Sequence, residues 1–268
     1  MSLPSLEIST QPAIDIPGQV LVLGVRSTAD GPELLIEDAA LQAALGAIGA
    51  TGSADQLLRL PGSDAADSIA LIGLGAATDA DALRYAAGSA LRQLRGVDRV
   101  VLALPADDAA SLAAVAEGAG LGAYRFAGYK SAGNGEDRGP ASAVVIPTAV
   151  EDAAAILERA RVVAEAVHRV RDLVNTPAND LYPGNLAERA AELAAVAGVD
   201  AAILDEDALA AGGFGGLLGV GSGSPRGPRM VRLDWNPAGA ERHLALVGKG
   251  ITFDTGGSRS SRPRRWSA

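Results

Sequence analysis

The stretch of this chain with the most chemical promise is residues 244–257, LALVGKGITFDTGG, where Lys249 closes an apolar run and Asp254 follows five residues later. The run reads as a strand that delivers Lys249 at its end. In a flat strand an odd separation sends two side chains to opposite faces, so both address one site only if the backbone bends. Gly248 and Gly250 permit that bend. On the residues alone, two readings of a convergent lysine and aspartate stay open. One is an ion pair. The other is joint coordination of a hard divalent ion, with carboxylate oxygen beside amine nitrogen. An amine binds metal only when neutral and its ordinary pKa is about 10.4, so the cation and burial would have to depress it strongly.

Other candidates carry less. Gly219, Gly221 and Gly223 lack the spacing of a dinucleotide fingerprint and read as a connection. Gly248-Lys249-Gly250 has neither the upstream glycine nor the following Ser or Thr of a phosphate loop. His168 and His243 stand 75 positions apart with no acidic or histidine partner at ligand spacing, and read as structural or surface residues. No nucleophile elbow is present for a serine triad.

Composition narrows the classes further. The 268 residues hold 23 Lys+Arg against 32 Asp+Glu, a formal charge of −9, which disfavours nucleic acid as a partner. An aromatic content of 3% also leaves few surfaces for stacking bases. Without cysteine there is no disulfide framework, thiolate metal site or cysteine nucleophile, so any metal must sit on oxygen or nitrogen. Residues 1–17 lack a basic and then apolar leader, and no apolar run reaches about 18 residues. The expectation is a cytoplasmic protein with no membrane partner.

The elements that must position Lys249 and Asp254 follow an α/β pattern, short β-branched runs alternating with alanine-rich helical stretches. Residues 20–25, 68–73, 99–104 and 143–147 read as buried strands, and 79–95 and 107–117 as helices opened by capping aspartates. Residues 1–148 are expected to form one α/β domain. Residues 149–174 read as a linking helix, with Ile156, Ala160, Val163, Val167 and Val170 at steps of four and three. It ends at Asn175-Thr176-Pro177, because proline expels its predecessor from helical geometry. Residues 175–257 read as a second, incomplete domain: a helix over 185–197, strands over 201–204, 230–235 and 244–247, and a short helix from Glu206. Residues 258–268 differ abruptly, with four arginines and no acid.

Three segments carry a resemblance to the leucyl (cytosol) aminopeptidase family. They are Asp172-Leu-Val-Asn-Thr-Pro-Ala-Asn-Asp180, Leu181-Tyr-Pro-Gly-Asn185 and Val247-Gly-Lys-Gly-Ile-Thr-Phe-Asp-Thr-Gly-Gly257, in order. A weaker match lies in Leu121-Gly-Ala-Tyr-Arg-Phe126. The resemblance implies an N-terminal macro-like α/β domain, a linking helix, and the start of an α/β metallopeptidase domain. It further implies peptide substrates, two divalent metal ions (Mn2+ or Zn2+) and a homohexamer. On the family motif Lys249 matches the lysine ligand and Asp254 the aspartate that bridges the metals.

After the two glycines the family continues Leu-Ser-Leu-Lys-Pro, whose lysine assists catalysis, and later supplies Asn-Thr-Asp-Ala-Glu-Gly-Arg with further ligands. Here Ser261 occupies the position of that lysine, and no such later segment is in the 268 residues. A GC-rich coding sequence for Leu-Ser-Leu-Lys-Pro-Ala-Ala-Ser-Met-Glu, read with its first base deleted, yields nine complete codons that match residues 258–266 found here. The expectation is therefore a one-base frameshift after Gly257 and an inactive product that retains no catalytic residue beyond the two ligands. Resequencing the gene across the Gly257 codon tests it: the family continuation in another frame is expected, and a confirmed intact frame would remove the sequencing-error form. The alternative is a small-ligand or nucleic-acid binding module in the first domain. Against DNA, residues 1–150 hold 9 basic and 17 acidic side chains.

Overall fold

The computed structural model describes residues 3–129 and 139–253. The chain divides into two compact units, Met1–Asp172 and Leu173–Ala268.

In the first unit, β1 (Ser5–Ser9), β2 (Gly18–Thr28), β3 (Gly31–Leu34), β4 (Leu57–Pro61), β5 (Ala66–Gly75), β6 (Arg99–Ala103) and β7 (Ala143–Pro147) make one sheet in the order β1-β7-β6-β2-β5-β4, with β3 paired to β2 off that path. β1, β7, β6, β2 and β5 are mutually parallel, while β3 and β4 pair antiparallel. The helices are α1 (Ala39–Ala44), α2 (Ala80–Gln93), α3 (Ala109–Gly122) and α4 (Ala153–Asn175). The central strands are apolar on both faces because both are covered. Val20, Val22, Ala70, Ile72, Val100, Leu102, Val144 and Ile146 pack with α2 and α3 on one side. Leu21, Leu23, Leu71, Val101, Ala103 and Val145 pack with Ile16, Leu34 and Leu45 on the other.

The four strands expected in this half are present, and β1, β3 and β4 join them at the sheet's margins. Asp79 caps α2 by accepting the amide of Ala82. The cap of α3 is Asp108 rather than Asp107: its carboxylate accepts the amides of Ala110 and Ser111, and the Ser111 hydroxyl bonds back to the Asp108 amide.

α2 and α3 approach closely because small residues line their contact. A Cβ at Gly118 would lie 2.2 Å from the Arg84 carbonyl oxygen, and one at Gly122 2.1 Å from that of Gly88. The sides of α3 and α4 also meet without side chains between them, a Cβ at Gly120 falling 2.8 Å from that of Ala164.

α4 packs on this unit through Leu157, Ala160 and Ala164. Of the expected stripe Ala160 is buried and Ile156 and Val163 are half-buried, whereas Val167 and Val170 are 36% and 58% exposed. Toward its C-terminal end, polar groups take over. His168 Nε2 donates to the Gly120 carbonyl at 3.0 Å, and Arg171 reaches the Leu121 carbonyl at 3.4 Å, so cationic and N–H groups meet the free carbonyls that end α3. The Tyr124 ring lies edge-on to His168 at 5.0 Å and beneath the Arg171 guanidinium at 3.8 Å, while its hydroxyl donates to Asp172 at 3.0 Å.

Burial holds the His168 imidazole below its ordinary value, with the Arg171 charge adding to that and the Gly120 carbonyl, Asp172 and Glu165 opposing it. A histidine depressed in the folded state contributes stability that is whole above its unfolded pKa, about 6.5, and is lost as pH falls through it. The wild-type chain is therefore expected to lose more Tm between pH 7.5 and 5.5 than His168→Gln, which keeps an N–H donor but does not titrate. Equal losses would contradict this.

In the second unit, α5 (Pro183–Val196) packs against an antiparallel pair, β8 (Asp200–Leu204) and β9 (Met230–Asp234), in register from Asp200↔Asp234 to Leu204↔Met230. Between the strands lie α6 (Glu206–Ala211) and α7 (Gly215–Gly221). Residues 219–221, part of the glycine cluster 219–223 expected as a connection, thus belong to a helix. The strand expected over residues 244–247 is absent, so the described residues supply two strands here, not three. Leu244, Leu246 and Val247 are 79%, 88% and 98% exposed. A segment becomes a strand only when a neighbour takes its N–H and C=O groups, and no described strand pairs with residues 244–247.

Candidate metal centre

The site begins where α4 ends. The Pro177 carbonyl accepts the amides of Asp180 at 2.9 Å and Leu181 at 2.8 Å, closing a turn that buries Leu181. Tyr182 is extended, and Pro183 opens α5 where a missing N–H costs nothing. Asn185 Nδ2 then reaches back to the Asp180 carbonyl at 2.8 Å. The motifs Asp172–Asp180 and Leu181–Asn185 thus form one continuous helix, turn and helix.

Lys249 lies on an irregular segment with its side chain exposed. Beside it, a Cβ at Gly250 would come 3.2 Å from Leu186 Cδ2, so the segment runs against the first turn of α5. Thr252 is half-buried. Asp254 lies outside the described residues, as do residues 255–268. Lys249 is therefore placed, and its convergence with Asp254 is not.

Among the described residues no three His, Cys, Asp or Glu side chains gather as a metal-binding group. One exposed amine does not amount to a set able to hold a pair of divalent ions, so the described residues do not fit such a centre. The carboxylate of Glu206 is engaged elsewhere: Arg229 pairs with it at 2.5 Å and holds its pKa below the usual range.

The first unit gives little support to the ligand-binding alternative. In open parallel sheets ligands sit outside the carboxyl ends of the strands. There, beside β2, a Cβ at Gly24 would lie 3.0 to 3.1 Å from the side chains of Leu104, Leu35 and Leu74, so the space is filled by leucines. At the opposite end of the strands a groove of about 230 Å³ includes Arg59, Asp67, Ser68 and Arg95. Its charges are mixed, and its arginines engage the Ser68 hydroxyl and the Arg92 carbonyl.

Sequence reasoning missed Arg226, which donates to the carbonyls of Asn179 at 2.7 Å and Ala178 at 3.4 Å. The only cue was an arginine beyond the glycine cluster, in Ser224-Pro-Arg226-Gly-Pro-Arg229.

No helix among the described residues is long and apolar enough to cross a membrane. Comparison with known proteins places the two halves of the chain in one family. Residues 29–133 match the N-terminal domain of the cytosol aminopeptidase family, and residues 168–262 match its catalytic domain. A probable cytosol aminopeptidase of Leifsonia xyli is 47% identical over 260 residues, covering 96% of this chain and 52% of that protein. A second, from Clavibacter michiganensis, is 46% identical over 269 residues, covering 96% and 53%. Among solved structures, the bottromycin maturation enzyme BotP, also seen in complex with Mn, superposes with a TM-score of 0.67 at 31% identity, over 82% of this chain and 47% of that one. The cytosol aminopeptidase of Coxiella burnetii, at 21% identity and a TM-score of 0.63 over 87% of this chain and 46% of that one, shares the fold. The chain spans about half the length of the curated relatives it matches. With both domain matches in chain order and the lysine and aspartate motif inside the second, the chain belongs to the cytosol aminopeptidase family.

Proposed function

We propose that this chain carries part of the active site of a metal-dependent leucyl aminopeptidase, an exopeptidase that releases N-terminal amino acids from peptides in the cytoplasm. The observation that carries the reading is Val247-Gly-Lys249-Gly-Ile-Thr-Phe-Asp254-Thr-Gly-Gly257, which lies within the residues matched by the family's catalytic domain. Lys249 and Asp254 are the two metal ligands it offers. Manganese or zinc is the metal in this reading, and the manganese complex of the bottromycin enzyme is in keeping with it. A pair of such ions supplies Lewis-acid and nucleophile-activating chemistry when bound. The complete enzyme is proposed to assemble as a homohexamer.

Two ligands hold hard ions weakly, because affinity in oxygen and nitrogen sites rises with ligand number and rigidity. The 268-residue polypeptide is therefore proposed to bind metal poorly and to be inactive on its own. The purified chain, assayed on a leucine anilide with manganese added, is expected to give no rate above background. Saturable hydrolysis that disappears in Lys249→Ala would refute the proposed inactivity.

A further inference from the structure

We infer that Arg226 is a positioning residue for the loop 177–182 and, through the first turn of α5, for the backbone that carries Lys249. The functional weight of this inference rests on the reading of Lys249 as a ligand; its geometry does not.

Three successive carbonyls leave the Pro177 turn, those of Ala178, Asn179 and Asp180, and each is held by a side chain. Arg226 Nη1 takes the first two at 3.4 and 2.7 Å, and Asn185 Nδ2 takes the third at 2.8 Å. The guanidinium also lies 4.4 Å over the ring of Tyr182, the residue that caps α5. The planar guanidinium fork lies over the ring while its Nη1 serves both carbonyls, a stacking that a compact ammonium lacks.

Arg226 is itself held. Its amide donates to the Ser224 hydroxyl at 3.1 Å. A Cβ at Gly227 would fall 1.8 Å from Glu206 Oε1, so the chain runs directly against the carboxylate of the Arg229–Glu206 ion pair. A Cβ at Gly221 would meet Pro228 at 2.6 Å, so the same segment is pressed against the end of α7. Residues 224–229 therefore form a clasp with one arginine on α6 and the other on the loop before α5. From that loop the path to Lys249 is short: the Leu186 amide donates to the Tyr182 carbonyl at 3.0 Å, and Leu186 is the side chain against which Gly250 lies.

The experiment uses the intact 268-residue chain. Lys130 and Lys249 are its only lysines, so reductive methylation with 13C-formaldehyde gives two lysine signals, assigned with Lys130→Arg. Hydrogen exchange is followed at the amides of Asp180, Leu181 and Leu186. Arg226→Ala is expected to speed exchange there roughly tenfold or more and to shift the Lys249 signal at constant pH. Tyr182→Leu and Arg226→Lys are expected to fall between, since one removes the ring and the other the fork. Should Arg226→Ala fail to fold, judged by amides of β8 and β9 in the same unit, Arg226→Lys carries the test. Wild-type exchange at the three amides, or an unmoved Lys249 signal, overturns the inference. Added Mn2+ separates the two readings: a Lys249 signal that responds to Arg226→Ala but is not broadened by the ion leaves the positioning role and ends the ligand role.

Discussion

Joining residues 1–257 to the C-terminal half of a full-length relative is expected to turn an inactive polypeptide into a manganese-dependent aminopeptidase. The effect should be very large, because enzymes exceed uncatalysed rates by roughly 10⁶-fold or more, and the starting chain is expected to supply none of that. The graft restores what the described residues do not contain, a set of carboxylates around the exposed Lys249. It also offers partners to Leu244, Leu246 and Val247, which are mostly exposed here. Exposed apolar side chains on a segment that no described strand pairs with invite association between chains, so the joined protein should also be less prone to aggregate. The measurement is the steady-state hydrolysis of a leucine anilide by joined and unjoined proteins. Equal, background rates from both, with the joined chain folded, would contradict the assignment of Lys249 and Asp254.

The second large effect lies far from that site. Gly118→Val places a branched side chain where even a Cβ would be 2.2 Å from the Arg84 carbonyl and 3.0 Å from the Ala87 Cβ. Backbone cannot yield there as a side-chain tip would, so α2 and α3 must separate. The expected cost is about 3 kcal/mol or more, with a fall in Tm on the order of 10 °C. Gly216→Ala in α7, where nothing lies within 4 Å, is the contrasting case and should be neutral or stabilising by roughly 0.5–1 kcal/mol. A Gly118→Val chain that melts with the wild type would show that the helix pair is not set by its glycines.

Much of the first unit was legible because its central strands are buried on two faces. Past Ser68 and Arg99 at the starts of two of them, residues 20–25, 68–73, 99–104 and 143–147 hold only apolar residues and glycine, a signal that survives ignorance of what covers them. The marginal strands carry no such signal. β4 contains Arg59 and ends in Pro61, β3 opens Gly31-Pro32, and β1 alternates only weakly. They are strands because β7, β5 and the end of β2 beyond β6 each present a free edge to them, which is tertiary information. α7 was hidden for the opposite reason. Its glycines argue against a helix by propensity, yet residues 215–221 are helical although none of them is buried.

The reverse failure, at residues 244–247, is instructive for the site. The run has strand composition, yet strand propensity expresses itself only against a partner, and no described strand pairs with it. The identity of Lys249 and Asp254 as candidates was therefore readable from types and spacing, whereas their geometry was not. Arg226 was unreadable because its partners are backbone carbonyls 47 and 48 positions away, which have no signature in side-chain pattern.

The most direct test of the ligand assignment is the manganese content of the joined protein, measured for the wild type, Lys249→Met and Asp254→Asn. The account predicts a pair of bound ions in the wild type, loss or marked weakening of one in Lys249→Met, and loss of both in Asp254→Asn, whose carboxylate is proposed to bridge them. Undiminished manganese, bound with wild-type affinity in both variants, would contradict it.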